Sequence, residues 1–110
     1  MRALGIVAVA FVLAGPALAT TGSPHAGKAV FKTNCGTCHT LKAAGTVGKG
    51  DNRGPTLTNR RETVARIMKE MAGGNTGLMP IFVGALSTKQ INDVVAFVVA
   101  ASKPGVTTIK

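Results

Sequence analysis

Aromatic and acidic residues are scarce in this chain of 110 residues. It contains no Trp, no Tyr and four Phe, with only four acidic residues against 13 Lys and Arg. Because few aromatic rings are available to stack on bases, the basic residues do not indicate a partner made of nucleic acid. A chain of this length forms one domain, and side chains alone would give it only a small hydrophobic core.

Long apolar runs are also missing. The longest follows Arg2 and covers residues 3–14, which is shorter than the roughly 20 residues that a membrane-spanning helix needs. Gly15 and Pro16 interrupt it, and Ala17-Leu18-Ala19 has the small-x-small pattern of a signal-peptidase site. We therefore predict a cleaved secretory signal over residues 1–19 and a mature domain over residues 20–110, with an uncleaved membrane anchor as the alternative.

The charge is strongly positive, with a formal value of +9 for the whole chain. Without Arg2, which lies in the predicted signal, 12 basic and 4 acidic residues remain and the net charge is +8. Such an excess on a small exported protein indicates an acidic partner or an acidic surface.

The two cysteines lie in one pentapeptide, Cys35-Gly36-Thr37-Cys38-His39. C-x-x-C-H is the attachment sequence of c-type haem, in which two thiols bind the porphyrin vinyl groups and the adjacent imidazole reaches the iron. Export is consistent with this motif, because covalent haem attachment in bacteria takes place outside the cytoplasmic membrane, in a compartment where thiols can be oxidised. A buried porphyrin would also supply the apolar mass that the side chains lack.

Two other interpretations of the pentapeptide are weaker. A redox-active C-x-x-C pair belongs at a helix N-terminus in a βαβ unit, and no strand-like run flanks Cys35 and Cys38. A structural zinc site needs about four ligands, and besides the motif the chain offers only His25. We expect His25 to be a solvated residue of the first helical turn.

The pattern of apolar residues predicts three helices, over residues 24–33, 60–72 and 88–102, with a loop rich in Gly and Lys over residues 43–58. A strand over residues 94–99 competes with the last helix because that segment is rich in Val. Capping side chains are predicted to be Ser23 before Pro24, Asn59 with Glu62, and Ser87 with Gln90.

Four ordered motifs follow one another along the chain: G-x-x-x-F (Gly27, Phe31), C-x-x-C-H, G-P-x-L (Gly54, Pro55, Leu57) and M-P-x-F (Met79, Pro80, Phe82). In these motifs the chain resembles the small class I cytochromes c, and the resemblance extends from Gly27 to Ser102. It implies an all-α, single-domain cytochrome c fold of three or four helices wrapped around one covalently bound haem. Phe97 departs from the pattern, since many relatives carry Tyr or Trp there.

The resemblance implies that His39 and Met79 bind the iron. An imidazole and a thioether give six-coordinate iron whose ligands change little on reduction. Met68 and Met71 lie on the inner stripe of a predicted helix, where methionine usually fills the core. The resemblance further implies that the carbonyl of Pro55 accepts a hydrogen bond from the His39 ring.

Three further expectations concern Gly27, Arg53 and the methionine ligand. By resemblance, Gly27 should let the first helix cross closely against the last one, near Phe31 and Phe97. Arg53 either pairs with a haem propionate or is a solvated charge. If Met79 did not bind iron, a five-coordinate haem sensor or enzyme would follow.

We therefore expect a non-enzymatic, monomeric carrier that passes one electron between exported or membrane-bound redox proteins. Its partners would be acidic-faced proteins such as an oxidase, a bc-type complex or a dehydrogenase, and it would reach membranes only through them. The expected location is the periplasm. A haem subunit permanently bound to a periplasmic dehydrogenase is the remaining alternative.

Overall fold

The computed structural model describes Gly5 and residues 21–73 and 79–110. Most of the predicted signal peptide, as well as Gly74 at the predicted end of the second helix, lies outside these residues. Within them, the chain forms three α-helices and one 3-10 turn and has no strand, so the all-α prediction is confirmed. The helices are α1 (Pro24–Asn34), α2 (Val64–Met71) and α3 (Thr88–Ala101), and the 3-10 turn is Lys42–Ala44.

The crossing of α1 over α3 forms the centre of the fold. Phe31 and Phe97 are almost fully buried there, with ring centroids 5.6 Å apart and planes inclined by 55°. Gly27 lies at the crossing, where an added Cβ would overlap the backbone carbonyl of Asp93 and come within 2.8 Å of Phe97 Cβ. The expected close approach at Gly27 is therefore confirmed.

The ends of α1 and α3 follow the sequence prediction closely. The Ser23 hydroxyl accepts a hydrogen bond from the N–H of Ala26, and Ser87 and Gln90 form the expected capping box. Residues 94–99 are helical, because α3 buries nearly its whole circumference and packing outweighs the modest helix propensity of Val. The competing strand prediction is wrong.

The predicted start of α2 is also wrong. The helix begins at Val64, and the hydroxyl of Thr63 caps it by accepting from the N–H of Arg66. Asn59 has a left-handed backbone (φ 61°), and its side-chain oxygen instead accepts from the N–H of Gly105, at 3.0 Å. Asn tolerates this conformation better than most residues. The chain therefore turns at Asn59 and enters the helix five residues later, at Val64.

The loop predicted over residues 43–58 is largely irregular but begins with local order. The 3-10 turn precedes Gly45, which is left-handed at φ 69°, and Leu41 pairs with Thr46 across the turn. Leu41 is fully buried, which anchors the loop to the core. Among the helices described, none is both long and apolar enough to cross a membrane.

Candidate haem site

The C-terminal end of α1 positions the C-x-x-C-H motif. The N–H of Cys35 still donates to the carbonyl of Phe31 at 2.8 Å, and the N–H of His39 donates to the carbonyl of Cys35 at 2.9 Å. A single turn that follows α1 therefore carries both thiols and the imidazole. The two cysteines form no disulfide with each other, and burial, with a smaller contribution from Cys38, raises the pKa of the Cys35 thiol to about 11.

These residues line a cavity of about 440 Å³ whose wall is mostly apolar. The volume falls in the range of about 300–1,000 Å³ that small-molecule and cofactor sites occupy. The wall also includes Phe82 and the helix α3 residues Val94 and Val98. The predicted site residues that it brings together are Cys35, Cys38, His39, Pro55 and Met79.

The imidazole of His39 is held on two sides. Its Nδ1 lies 2.9 Å from the carbonyl oxygen of Pro55, which can only accept, so Nδ1 carries the proton. A Cβ added at Gly54 would approach Nδ1 and Nε2 of the ring to 2.7 Å, so the backbone of Gly54 packs against the imidazole. With Nδ1 committed to a carbonyl, Nε2 is the nitrogen left for a metal.

Two methionines, Met79 and Met71, line the cavity. Met79 is half-buried on an irregular segment, whereas Met71 is 2% exposed at the end of α2. Met68 packs against the core and does not line the cavity. The core positions of Met68 and Met71 agree with the prediction from the sequence. That Met71 also lines the cavity was not predicted.

A group of charged residues on the cavity wall was not predicted from the sequence. Only Arg53 was expected as a possible partner of a haem propionate. Glu62, Arg66 and Glu70 are spaced by four residues, which predicts a shared face within the helix expected over residues 60–72, although Glu62 lies two residues before α2. The additional charged residues are Arg60, Glu62, Arg66 and Glu70.

The described residues fit a covalent haem. Two free thiols, an imidazole with one nitrogen fixed and a thioether sulfur share one apolar cavity, and Gly54 leaves room for the imidazole ring. In the described part of the chain, no group of three or more Cys, His, Asp and Glu side chains could hold a bare metal ion. His25 is exposed and is not among the residues of the cavity wall.

Comparison with known proteins agrees with this site. The family model described as "Cytochrome C oxidase, cbb3-type, subunit III" matches residues 22–98. The chain belongs to the cytochrome c family. It is 35% identical over 89 residues to cytochrome c6 of Limnospira maxima, covering 76% of this chain and 99% of that protein. It is also 35% identical over 81 residues to cytochrome c6 of Leptolyngbya boryana, covering 73% and 94%.

A solved structure of cytochrome c6 from the diatom Phaeodactylum tricornutum shares the cytochrome c fold. It aligns with a TM-score of 0.50 and 29% identity over 74% of this chain and 95% of that one. This cytochrome is therefore a small class I protein with one covalently bound haem c. It is an electron carrier rather than an enzyme, and its partners are redox proteins.

Proposed function

We propose that this cytochrome carries single electrons between exported or membrane-bound redox proteins, with His39 and Met79 as the two iron ligands. The observation that carries the proposal is the shared cavity, which both the C-x-x-C-H motif and Met79 line and in which His39 Nδ1 is tied to the carbonyl of Pro55. When bound, the haem supplies a one-electron Fe(III)/Fe(II) couple, and thioether ligation favours a high potential.

The protein's part in this function is to keep the site rigid. Cys35 and Cys38 would hold the haem covalently, while Pro55 and Gly54 fix the orientation of the His39 ring. The backbone N–H of Gly54 donates to the carbonyl of Cys38 at 2.8 Å, which ties the Gly54-Pro55 turn to the attachment motif. A site fixed in this way need rearrange little when an electron enters or leaves.

We further propose that residues 1–19 direct export, that residues 20–110 form the mature cytochrome domain, and that it acts in the periplasm as a monomer. The sequence of the leader supports this location, as does the C-x-x-C-H motif, because covalent haem attachment in bacteria takes place outside the cytoplasmic membrane. The acidic-faced partner would be an oxidase, a bc-type complex or a dehydrogenase. The net charge of +8 on the predicted mature chain supports an acidic face on that partner.

A second candidate is a haem subunit that stays bound to an oxidase. The description of the matched family model, which names a subunit of a cbb3-type oxidase, favours it. The free carrier is better supported, because the two relatives named cytochrome c6 are matched over 99% and 94% of their own lengths. Size measurement during native purification distinguishes a free single-domain cytochrome from a subunit that elutes with a much larger complex.

The ligand assignment is tested by comparing Met79→Ala with Met68→Ala. Met79→Ala should remain folded with covalent haem but lose the red charge-transfer band of thioether-ligated ferric haem, with a lower potential and new affinity for carbon monoxide. Met68→Ala should keep the band, because Met68 does not line the cavity. The reverse result, or loss of the band only in Met71→Ala, would contradict the assignment of Met79.

A further inference from the structure

Glu62 is a carboxylate held in the wall of the haem cavity by contacts far along the chain. Its backbone N–H donates to the hydroxyl of Ser102 at 2.9 Å, and the N–H of Arg61 donates to the Ser102 carbonyl at 2.9 Å. Ser102 is fully buried at the end of α3. Arg61 has a left-handed backbone with φ 53°, which residues other than Gly and Asn seldom adopt. The position of Glu62 is therefore set by the fold rather than by helix α2 alone.

The charge of Glu62 is only partly balanced by its ion-pair partner. The side chain of Glu62 is 9% exposed, whereas that of Arg66 is 59% exposed. Arg66 Nε lies 3.7 Å from Glu62 Oε2, which is longer than a direct hydrogen bond. Because water screens the guanidinium much more than the carboxylate, Arg66 neutralises the negative charge of Glu62 only in part. Arg53 and Arg60 also line the cavity, but both are exposed, and Glu70 is half-buried.

We propose that Glu62 lowers the reduction potential of this cytochrome. A fixed negative charge on the cavity wall stabilises the oxidation state that carries one more positive charge, which opposes the uptake of an electron from the donor protein. Arg66 moderates this effect, and Ser102 positions Glu62 through the backbone. The proposal rests on the electron-carrying function proposed above. Through the reduction potential, Glu62 would limit which redox proteins can donate electrons to this cytochrome.

The test is a redox titration of the complete holoprotein carrying Glu62→Gln, with Asp51→Asn as the matched control. Both variants remove one negative charge, but Asp51 is exposed and does not line the cavity. Glu62→Gln should shift the potential in the positive direction and leave the ferric absorption spectrum unchanged, and Asp51→Asn should shift it much less. Equal shifts in the two variants, or a change of iron ligation in Glu62→Gln, would overturn the proposal.

Arg66→Gln provides an independent measurement if Glu62→Gln fails to retain haem. Because Arg66 is largely exposed, its loss should be tolerated and should shift the potential in the negative direction, by less than the positive shift of Glu62→Gln. An unchanged or more positive potential in Arg66→Gln would overturn the proposal. The Met79→Ala spectrum reports on the ligand set by itself, so failure of that assignment can be told apart from failure of the role of Glu62.

Discussion

The carboxylate of Asp93 in α3 accepts a hydrogen bond from the backbone N–H of Ser23, the residue that caps α1, at 2.8 Å. Its other oxygen pairs with Lys89 at 2.6 Å. The beginning of α1 is thereby tied to the middle of α3, beside the crossing at Gly27. The hydrogen bond from Lys89, with that from Ser23, lowers the pKa of Asp93 below its ordinary value.

This pair predicts an acid-sensitive contribution to stability. Because the pKa of Asp93 is lower in the folded state, the contribution is present above the unfolded value of about 3.9 and is lost as the pH falls through the folded value. Asp93→Asn should therefore lower the melting temperature of the holoprotein at pH 7, and the difference from wild type should shrink below about pH 4. A difference that is constant from pH 7 to pH 2 would contradict this, and Asp51→Asn serves as the exposed control.

The crossing of α1 and α3 predicts the sign of a glycine substitution. Helix propensity alone would make Gly27→Ala stabilising by about 1 kcal/mol. Because the new Cβ would overlap the Asp93 carbonyl, we expect destabilisation instead, by about 1–3 kcal/mol in the free energy of unfolding. Denaturant titration measures it, with Ala29→Gly on the exposed side of α1 as a control that should lose about 1 kcal/mol from propensity alone. A stabilised Gly27→Ala would disprove the tight crossing.

The contact between Gly54 and the His39 ring predicts a defect in haem binding. In Gly54→Ala the methyl group would displace the imidazole or the 54–55 turn, and we expect a lower yield of covalent haem and an altered spectrum. Pro55→Ala keeps the carbonyl that accepts from Nδ1 and should retain a spectrum close to that of wild type. Haem yield per chain, measured by mass spectrometry, distinguishes the two. A wild-type yield and spectrum in Gly54→Ala would show that the ring does not depend on this contact.

The basic surface predicts how salt affects the rate of electron exchange. Lys28, Lys32, Lys42 and Lys49 flank the attachment motif in sequence, and Lys32 and Lys49 line a second, shallow cavity together with Thr37. Oxidation of the reduced protein by the anionic oxidant hexacyanoferrate(III) should slow by about tenfold between low salt and about 0.5 M, as screening removes the attraction.

Charge reversal locates the effect on the surface. The double variant Lys32→Glu/Lys49→Glu should slow this reaction at low salt without changing the haem spectrum. The matched control Lys103→Glu/Lys110→Glu makes the same change of net charge at two exposed residues near the C-terminus. Equal slowing in both variants would mean that only the total charge matters, and a rate independent of salt would remove any steering role.

Local signals were enough to predict α1 and α3. Ser23 with Pro24 and Ser87 with Gln90 act within their own first turns, and the structure uses them as predicted. The start of α2 could not be predicted in this way. Asn59 looked like a cap, but its oxygen accepts from Gly105, 46 residues away, and no local pattern contains that contact.

The residues of the candidate site show the same difference between local and long-range signals. The C-x-x-C-H motif is contiguous and was found directly, and Met79 and Pro55 were identified through the family resemblance. The position of Glu62 on the cavity wall depends on the bonds that the backbone N–H groups of Arg61 and Glu62 donate to Ser102, 40 residues beyond Glu62 along the chain. The four-residue spacing of Glu62 and Arg66 could have predicted a shared face but not which way that face points.

We propose above all that this cytochrome is a one-electron carrier with a single covalent haem whose iron is bound by His39 and Met79. The most direct measurement is mass spectrometry of the exported holoprotein followed by a spectroscopic redox titration of the same sample. We expect the mass of residues 20–110 plus one haem, a reversible one-electron transition, a ferric spectrum with the thioether band, and a reduced spectrum that carbon monoxide does not change. Haem removed by acid-acetone extraction, or a reduced haem that binds carbon monoxide readily, would contradict it.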